Sequence, residues 1–399
     1  MQKLPGADIN HLKIIVNATP LLNISTGIGR YFRSLYSEIS LQYPELDIKY
    51  FNGIGIDNKM PNSPEGKSAW SVAASIAWKL PSIFPYLARV VMHEKRAKRF
   101  LRLSKGFDIY HEGGYFPFKA AKNVKTIFTI HDISLKTLPG FHPKERVRFF
   151  NKYFENSLQN IDSIITPSEF SKKEIIREYP RINNRINKRM NTGIHPVHLG
   201  FDKHIFFRQP EKTVDSLKIK LKLPEKYILF VGTSDPRKNI QSIIKAMAVL
   251  PESIKLVCAG WAGWSSIKGI QPAGTNMKDR IFFAGYLTDT ELAVLYSGAR
   301  AFVYPSFYEG FGLPVLEAMA CGCPVICSNT SSLPEVAGNA AMTCNPNDIH
   351  CLADSIEKVF ASDGLYEEMS LKSLEQAKKF SWANAAEKTI KIFIDTLQC

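Results

Sequence analysis

The sequence predicts an α/β protein with two parallel sheets, each covered by helices on both faces. Short apolar segments that resemble strands alternate with helix-compatible segments along the whole chain. The chain has 399 residues, enough for two domains with complete cores, and its 45% hydrophobic content argues against disorder. Between the two halves, Asp202–Pro224 contains prolines, charges and few apolar residues. We therefore expect an N-terminal domain at 1–205, a linker at 206–224 and a C-terminal domain at 225–380.

In the first half, the earliest strand expected is Leu12–Asn17, and a glycine loop at Gly27–Gly29 leads into a helix from about Arg30 to Leu41. The polar, basic segment Pro180–His195 is typical of an irregular loop. Further strands of this sheet are predicted at Asp108–His111, Lys125–Ile130 and Asp162–Thr166.

A second sheet is expected to begin at Tyr227–Gly232, and a helix at Val315–Ala320 is expected to stop at Gly322. Ligands of open parallel sheets bind beyond the carboxyl ends of the strands, so the loops after these strands are candidate sites. The remaining strands are predicted at Lys255–Ala259, Arg280–Ala284, Ala301–Tyr304 and Pro324–Cys327.

One such loop, Tyr308–Glu317, carries two acids around a glycine turn. Gly310 and Gly312 let the backbone approach a ligand closely, and Pro314 suits the first turn of a helix. The amides of a helix N-terminus favour negative charge such as a diphosphate, while Glu309 and Glu317 can accept hydrogen bonds from sugar hydroxyls. Alone, this pattern is more typical of a surface turn with solvated glutamates. In context it predicts a site for a nucleotide-linked sugar.

That context is a resemblance to glycosyltransferase family 4, whose members are retaining enzymes with the GT-B fold. It covers nearly the whole chain, with the motifs in the family's order. One departure is Thr233, where some members carry arginine. The matching segments are Thr26–Tyr31, Ile130–Asp132, Pro167–Ser171, His198–Asp202, Val231–Asn239, Phe283–Leu287, Phe302–Ser306, Glu309–Glu317 and Ala320–Ile326.

The resemblance implies two Rossmann-like, doubly wound domains that face a central cleft, with a last helix, 381–399, crossing back onto the N-terminal domain. It also implies that Arg237 and Lys238 stabilise the leaving diphosphate, a task suited to fixed cations. Glu309 would orient the donor sugar rather than act as the covalent nucleophile of retaining glycosidases. We therefore expect the catalytic residues to be His131, Arg237, Lys238 and Glu309.

The same resemblance implies a set of donor-binding residues. Glu317 would bind the ribose, and the amides of Phe311, Gly312 and Leu313 would meet the sugar or the diphosphate. The full expected set is Gly27, Gly29, Arg30, Gly232, Thr233, Leu287, Gly310, Phe311, Gly312, Leu313 and Glu317.

The function expected is transfer of a hexose to a saccharide or polyprenyl-linked saccharide in surface-polysaccharide or O-antigen synthesis. GDP-mannose is the first choice of donor, by overall likeness to bacterial mannosyltransferases, and UDP- or dTDP-sugars remain open. A nicotinamide dehydrogenase is disfavoured because Phe32 stands where Gly-x-Gly-x-x-Gly needs glycine. No Asp-x-Asp metal clamp occurs, so we expect no metal and no cofactor. A non-catalytic nucleotide-sugar-binding protein is the alternative from another class.

The net charge of +14 lies entirely in the N-terminal half: 31 basic and 17 acidic residues precede Phe206, and 20 of each follow. Such asymmetry indicates a polyanionic partner. The apolar, aromatic stretch Ala69–Ala88 precedes the basic run Arg89–Lys105, a pattern of interfacial membrane contact, although a core helix with a solvated basic face fits equally. Nucleic acid is the weaker alternative, because it leaves the Glu309–Glu317 loop without a purpose.

The seven cysteines show no disulfide-framework spacing, and no secretory signal precedes Leu12. Cys321 and Cys323 are too close for a usual zinc knuckle and are expected to be core residues. We therefore expect a cytoplasmic protein, and the membrane-contact alternative for Ala69–Lys105 would place it on the inner face of the plasma membrane.

Overall fold

The computed structural model describes residues 11–22, 27–61, 83–114, 116–182, 193–233, 235–260, 277 and 279–398. The chain divides into two compact units. Unit 1 is Met1–Leu199 with Trp382–Cys399, and unit 2 is Gly200–Ser381.

Within the described residues, unit 1 contains a seven-stranded sheet of order β3-β2-β1-β4-β5-β6-β7. Its neighbouring strands are parallel except for the antiparallel β2–β3 pair at one edge. The strands are β1 (Lys13–Asn17), β2 (Asp47–Phe51), β3 (Ile56–Asp57), β4 (Ile109–Glu112), β5 (Lys125–Thr129), β6 (Ser163–Thr166) and β7 (Ile194–Pro196). The helices are α1 (Gly27–Gln42), α2 (Ile83–Leu103), α3 (Ser134–Thr137), α4 (Lys144–Ser157), α5 (Glu169–Glu178) and α13 (Trp382–Leu397).

Helix α1 begins at Gly27, three residues earlier than predicted, so the expected glycine loop is its first turn. Its buried side chains recur with helical spacing and form one apolar face. Helix α13 packs against α1, and Gln42 Nε2 donates to the carbonyl of Ala383 at 3.3 Å. Farther along α13, the hydroxyls of Thr396 and Ser163 form a buried hydrogen bond of 2.8 Å. The C-terminal helix thus belongs to the core of unit 1.

Unit 2 contains a six-stranded, wholly parallel sheet of order β10-β9-β8-β11-β12-β13 within the described residues. Its central strands are buried throughout, as continuous apolar runs in parallel sheets predict. The strands are β8 (Ile228–Val231), β9 (Leu256–Ala259), β10 (Ile281–Gly285), β11 (Ala301–Tyr304), β12 (Val325–Ser328) and β13 (Ala341–Cys344). The helices are α6 (Glu211–Leu221), α7 (Ile240–Met247), α8 (Asp289–Ser297), α9 (Leu313–Ala320), α10 (Leu333–Ala337), α11 (Ile349–Ala361) and α12 (Asp363–Ala377).

The segment predicted as a linker, 206–224, instead contains helix α6 and belongs to unit 2. Val214 and Leu217 are one turn apart and both buried, and α6 packs against α8. This apolar pair gives the segment a buried face despite its many charges. Most of the loop predicted at 180–195 lies outside the described residues, but its end, from Ile194, forms β7.

The structure also corrects the expectation about cysteines, because a disulfide joins Cys344 at the end of β13 to Cys351 in α11. Cys321 and Cys323 are buried and free, as predicted for core residues, and so is Cys327. Among the helices of the described residues, none is long and apolar enough to cross a membrane.

Candidate functional site

The candidate site in unit 2 lies at the carboxyl edge of the sheet, where the strand order reverses. Strands β8 and β11 are neighbours, but the chain continues from β8 to β9 on one side and from β11 to β12 on the other. The loops that follow Val231 and Tyr304 therefore leave the same edge side by side. In open α/β sheets, such a switch point is where ligands bind.

At this point the structure brings Glu309, Lys238 and Arg237 together. Oxygen Oε1 of Glu309 accepts from Lys238 Nζ at 3.0 Å and from the Tyr304 hydroxyl at 2.9 Å. The Ser306 hydroxyl lies 2.9 Å from the same oxygen, and Arg237 Nη1 lies 3.8 Å from Oε2. Burial alone would raise the pKa of the Glu309 carboxyl, but Lys238, Arg237 and these hydrogen bonds lower it to about 2. Glu309 is therefore an ionised hydrogen-bond acceptor at neutral pH.

One glycine makes room for the Lys238 side chain, and a second lets the backbone pass close to the first. A Cβ at Gly232 would lie 2.8 Å from Cδ of Lys238, so the lysine stem occupies the space that a larger residue would fill. Gly260 has φ +132°, and a Cβ there would lie 2.2 Å from the carbonyl oxygen of Gly232. Gly232 thus leaves space for the lysine stem, and Gly260 allows a close approach of its own backbone to Gly232.

Arg237 and Lys238 lie on a single 3-10 turn, Pro236–Lys238, that Asp235 and Asn239 hold in place. Asp235 Oδ1 accepts from the Arg237 amide at 3.0 Å, an N-terminal cap. Asn239 ends the turn with φ 55°, and its Nδ2 donates to the carbonyls of Pro305 at 3.0 Å and Pro346 at 2.8 Å. Neither residue was predicted to have a role, although Asp before Pro and a following Asn are typical cap signals.

The glycine loop between Glu309 and helix α9 needs glycine at position 312. Gly312 has φ +106°, and a Cβ there would lie 2.7 Å from Cδ2 of Leu333. The Ser332 hydroxyl lies 2.9 Å from the carbonyl oxygen of Glu309 and 2.8 Å from that of Phe311, and its one proton is shared between these two loop carbonyls. Helix α9 then begins at Leu313, so its N-terminal amides open at the same edge as the charged cluster.

The other donor-binding residues predicted in this half also belong to unit 2. Glu317 is buried in α9 at 2% exposure, and Phe311 is buried against Phe380 with ring centroids 5.8 Å apart. Thr233 follows β8, and Leu287, which is buried, follows β10. Gly310 is buried in the loop after β11.

The remaining predicted residues lie in unit 1. Gly27, Gly29 and Arg30 occupy the first turn of α1. His131 follows β5, and its Nε2 lies 2.8 Å from the carbonyl oxygen of Gly113. A carbonyl only accepts, so Nε2 carries the proton and Nδ1 is an acceptor. Burial lowers the pKa of His131, which keeps the ring neutral at pH 7.

Comparison with known proteins agrees with this architecture. The family described as glycosyl transferases group 1 matches residues 212–379, and Glycosyltransferase Family 4 matches 62–187. The O-antigen chain mannosyltransferase B of Escherichia coli is 34% identical over 96% of this chain and 99% of its own length.

Among solved structures, a sucrose-phosphate synthase from Thermosynechococcus elongatus superposes with a TM-score of 0.69 at 21% identity, over 96% of this chain and 98% of its own. WaaG, a glycosyltransferase involved in lipopolysaccharide biosynthesis, gives 0.67 at 13% identity, over 95% of this chain and 99% of its own. These likenesses show that the fold is GT-B. The near full-length relative goes further: the chain belongs to glycosyltransferase family 4.

Proposed function

We propose that this glycosyltransferase is a retaining mannosyltransferase that uses GDP-mannose and extends an O-antigen saccharide, free or lipid-linked. The Escherichia coli relative named above supports the sugar and the polymer. A second relative, the serotype-specific mannosyltransferase WbdA of Escherichia coli, is 33% identical over 72% of this chain, although the match spans 36% of that longer protein.

The observation that carries the proposal is the charged cluster at the switch point of unit 2. Two cations, Arg237 and Lys238, lie beside the N-terminus of α9, and both features attract a diphosphate. A carboxylate, Glu309, lies within the same cluster and accepts hydrogen bonds. This combination suits a donor with a diphosphate at one end and sugar hydroxyls at the other.

The roles within unit 2 follow from these chemistries. Arg237 and Lys238 neutralise the charge that the diphosphate gains as the anomeric bond breaks, and the amides of the 310–313 loop supplement them. Glu309 accepts hydrogen bonds from the mannose and orients it. Lys238 and Tyr304 hold its Oε1, which leaves Oε2 to accept from the sugar, and on the family resemblance we assign Glu309 no covalent intermediate. Glu317 binds the ribose hydroxyls, and Gly232, Thr233 and Leu287 flank the nucleotide.

In unit 1, we assign His131 to a hydroxyl of the transferred sugar. Its neutral ring offers Nδ1 as an acceptor, since Nε2 donates to Gly113. Gly27, Gly29 and Arg30, at the start of α1, complete the donor-binding set. These assignments rest on the family resemblance together with the tautomer that the structure favours.

The first experiment is thermal stabilisation by GDP, UDP and dTDP at equal concentration. A ligand at about 100 times its Kd stabilises the folded state by about 2.7 kcal/mol. Stabilisation by GDP alone, followed by transfer from GDP-mannose with the α configuration retained in the product, is the expected result. Stabilisation by UDP or dTDP alone would mean that the donor carries that nucleotide instead of GDP. Inversion of the anomeric configuration would contradict the retaining assignment. No stabilisation by any of the three nucleotides would refute the proposed donor site.

We also propose that unit 1 binds an anionic membrane surface through α2. The exposed side chains of Phe84, Leu87 and Val91 lie on one face of the helix, and three exposed basic residues continue the same face toward its C-terminus. Those basic residues are Lys95, Lys98 and Arg102. An apolar stripe that continues into a basic stripe suits insertion into the headgroup region with contacts to anionic lipids.

Co-sedimentation with vesicles of phosphatidylglycerol and phosphatidylethanolamine tests this surface. Replacing Lys95, Lys98 and Arg102 by glutamate removes three contacts of about 1 kcal/mol each, so binding should fall more than 100-fold. The matched control replaces the exposed Lys119, Lys122 and Lys173, which changes the net charge equally. An equal loss of vesicle binding in both variants would show that net charge, and not this face of α2, causes the binding. Binding of the wild-type protein to RNA but not to vesicles would favour a nucleic-acid partner.

A further inference from the structure

Tyr304, the last residue of β11, is fully buried next to the charged cluster. Its ring stacks with Phe302 at a centroid distance of 5.4 Å and with Phe230 at 6.2 Å. These contacts fix the ring, so its hydroxyl has one position. That position is at the carboxyl edge of the sheet, in contact with both Lys238 and Glu309.

The direction of the hydrogen bonds follows from what each group can do. An ammonium has no lone pair, so Lys238 must donate to the Tyr304 oxygen. The single hydroxyl proton of Tyr304 is then directed to Oε1 of Glu309, 2.9 Å away. Burial, and next the charge of Glu309, raise the pKa of Tyr304, so it keeps this proton. Lys238, Tyr304 and Glu309 therefore form a closed triangle.

Ser306 cannot replace Tyr304 in this triangle. Its hydroxyl lies 2.9 Å from Glu309 Oε1, 3.1 Å from the Arg237 carbonyl and 3.3 Å from the Tyr308 carbonyl. Three acceptors thus compete for one proton, whereas Glu309 is the acceptor for the hydroxyl proton of Tyr304. Tyr304 is the neutral donor dedicated to the carboxylate.

The hydrogen bonds of the triangle determine which donor and acceptor atoms of Lys238 and Glu309 can still bind a ligand. Lys238 has three N–H bonds, and its partners among the described residues are Tyr304 and Glu309. Its third N–H bond remains for an anion. In Glu309, Oε1 is occupied, while Oε2 has Arg237 Nη1 at 3.8 Å, too long for a hydrogen bond. One cation donor and one carboxylate oxygen thus remain at fixed positions.

We propose that Tyr304 is a positioning residue for the donor. Its hydroxyl holds Lys238 in position to bind the diphosphate and holds Glu309 Oε2 in position to bind the sugar hydroxyls. The diphosphate and the sugar lie on either side of the bond that breaks, so one hydroxyl aligns the groups that bind both sides. The inference rests on the proposed donor site and assigns Tyr304 a role that the sequence motif did not. Without the hydroxyl, Lys238 can turn wholly toward Glu309, and both lose their alignment.

The test compares Tyr304→Phe with Tyr227→Phe. Tyr227 is equally buried at the opposite edge of the same sheet, and its hydroxyl donates to the Leu295 carbonyl at 2.9 Å. Both variants lose one buried hydroxyl, so both should lose similar stability in thermal unfolding. Tyr304→Phe alone should lower kcat/KM for the donor roughly 10- to 100-fold, the loss typical of a hydrogen bond to a charged group.

A second readout separates alignment from simple loss of stability. Without an acceptor, water can take the place of the acceptor hydroxyl at the anomeric carbon, releasing free sugar and nucleoside diphosphate. A misaligned sugar should lower the ratio of transfer to hydrolysis in Tyr304→Phe and leave it unchanged in Tyr227→Phe. Equal kinetics and equal ratios in the two variants would overturn the inference. If the wild-type protein transfers from no nucleotide sugar, the proposed function fails, and the inference with it.

Discussion

Replacing Gly232 by alanine should weaken donor binding while leaving the stability of the fold nearly unchanged. The new Cβ would lie 2.8 Å from Cδ of Lys238, about half an ångström inside ordinary contact, so the lysine stem must move. No positive φ constrains Gly232, so alanine fits its backbone. The atom displaced belongs to a flexible side chain, and the loss of glycine entropy in the unfolded chain offsets part of the cost, by about 0.4–1 kcal/mol. The free energy of unfolding should therefore change by less than about 1 kcal/mol.

The effect on function should be larger, because the displaced side chain is Lys238. A charge-assisted hydrogen bond contributes about 1.5–3 kcal/mol, so the affinity for the nucleoside diphosphate should fall about 10- to 150-fold. Calorimetric titration with GDP, or with whichever nucleotide stabilises the protein, measures this loss. Chemical denaturation measures the stability in parallel.

A double-mutant cycle with Lys238→Ala shows whether the lysine carries the effect. Residues in contact give non-additive changes, so Gly232→Ala should cost almost nothing further once Lys238 is alanine. If the two losses of binding free energy simply add, the glycine acts on something other than Lys238. Wild-type affinity in Gly232→Ala would equally refute the reasoning.

Three further predictions use the same unit. The lowered pKa of Glu309 stabilises the fold above the carboxyl's ordinary pKa of 4.5, and this stabilisation, about 3 kcal/mol, is lost as the pH falls toward about 2. The difference in unfolding free energy between wild type and Glu309→Gln should thus shrink over that range. A difference that stays constant would show that the Glu309 ion pairs do not stabilise the fold. Glu317→Ala should weaken nucleotide binding at least 10-fold with little change for inorganic diphosphate, whereas equal losses would remove the ribose assignment. Reducing the Cys344–Cys351 disulfide should lower the unfolding free energy by about 2 kcal/mol, with Cys258→Ser as the control that leaves this response intact.

The sequence predicted the central strands of both sheets because parallel strands buried on both faces are continuous apolar runs. Strands β8 and β11 are examples in which every residue is buried. The strands that were not predicted, β2, β3, β7 and β13, are short or partly exposed. Such strands depend on tertiary pairing more than on their own pattern. The same holds for α6, whose buried pair is surrounded by lysines.

For the site, the motifs located Arg237, Lys238 and Glu309, but spacing alone gives no pairing. The contact between Lys238 and Glu309 joins residues 71 positions apart and depends on β8 and β11 being neighbours. The role of Tyr304 is hidden for a further reason. An aromatic residue ending an apolar strand is typical of a core position, and only the structure shows that its hydroxyl reaches the charges.

The positive and negative charges of the cluster formed by Asp235, Arg237, Lys238 and Glu309 nearly cancel, which limits how strongly the cluster attracts an anionic donor. Asp235 lies 3.4 Å from Arg237, so among the described residues of the cluster two acids accompany two cations, and each of the four charges has an opposite charge beside it. The cluster alone therefore offers a diphosphate no excess positive charge. The N-terminus of α9 adds positive potential through the helix dipole. We infer that Gly312, whose left-handed backbone begins that helix at the edge of the cluster, is as necessary to diphosphate binding as the two cations.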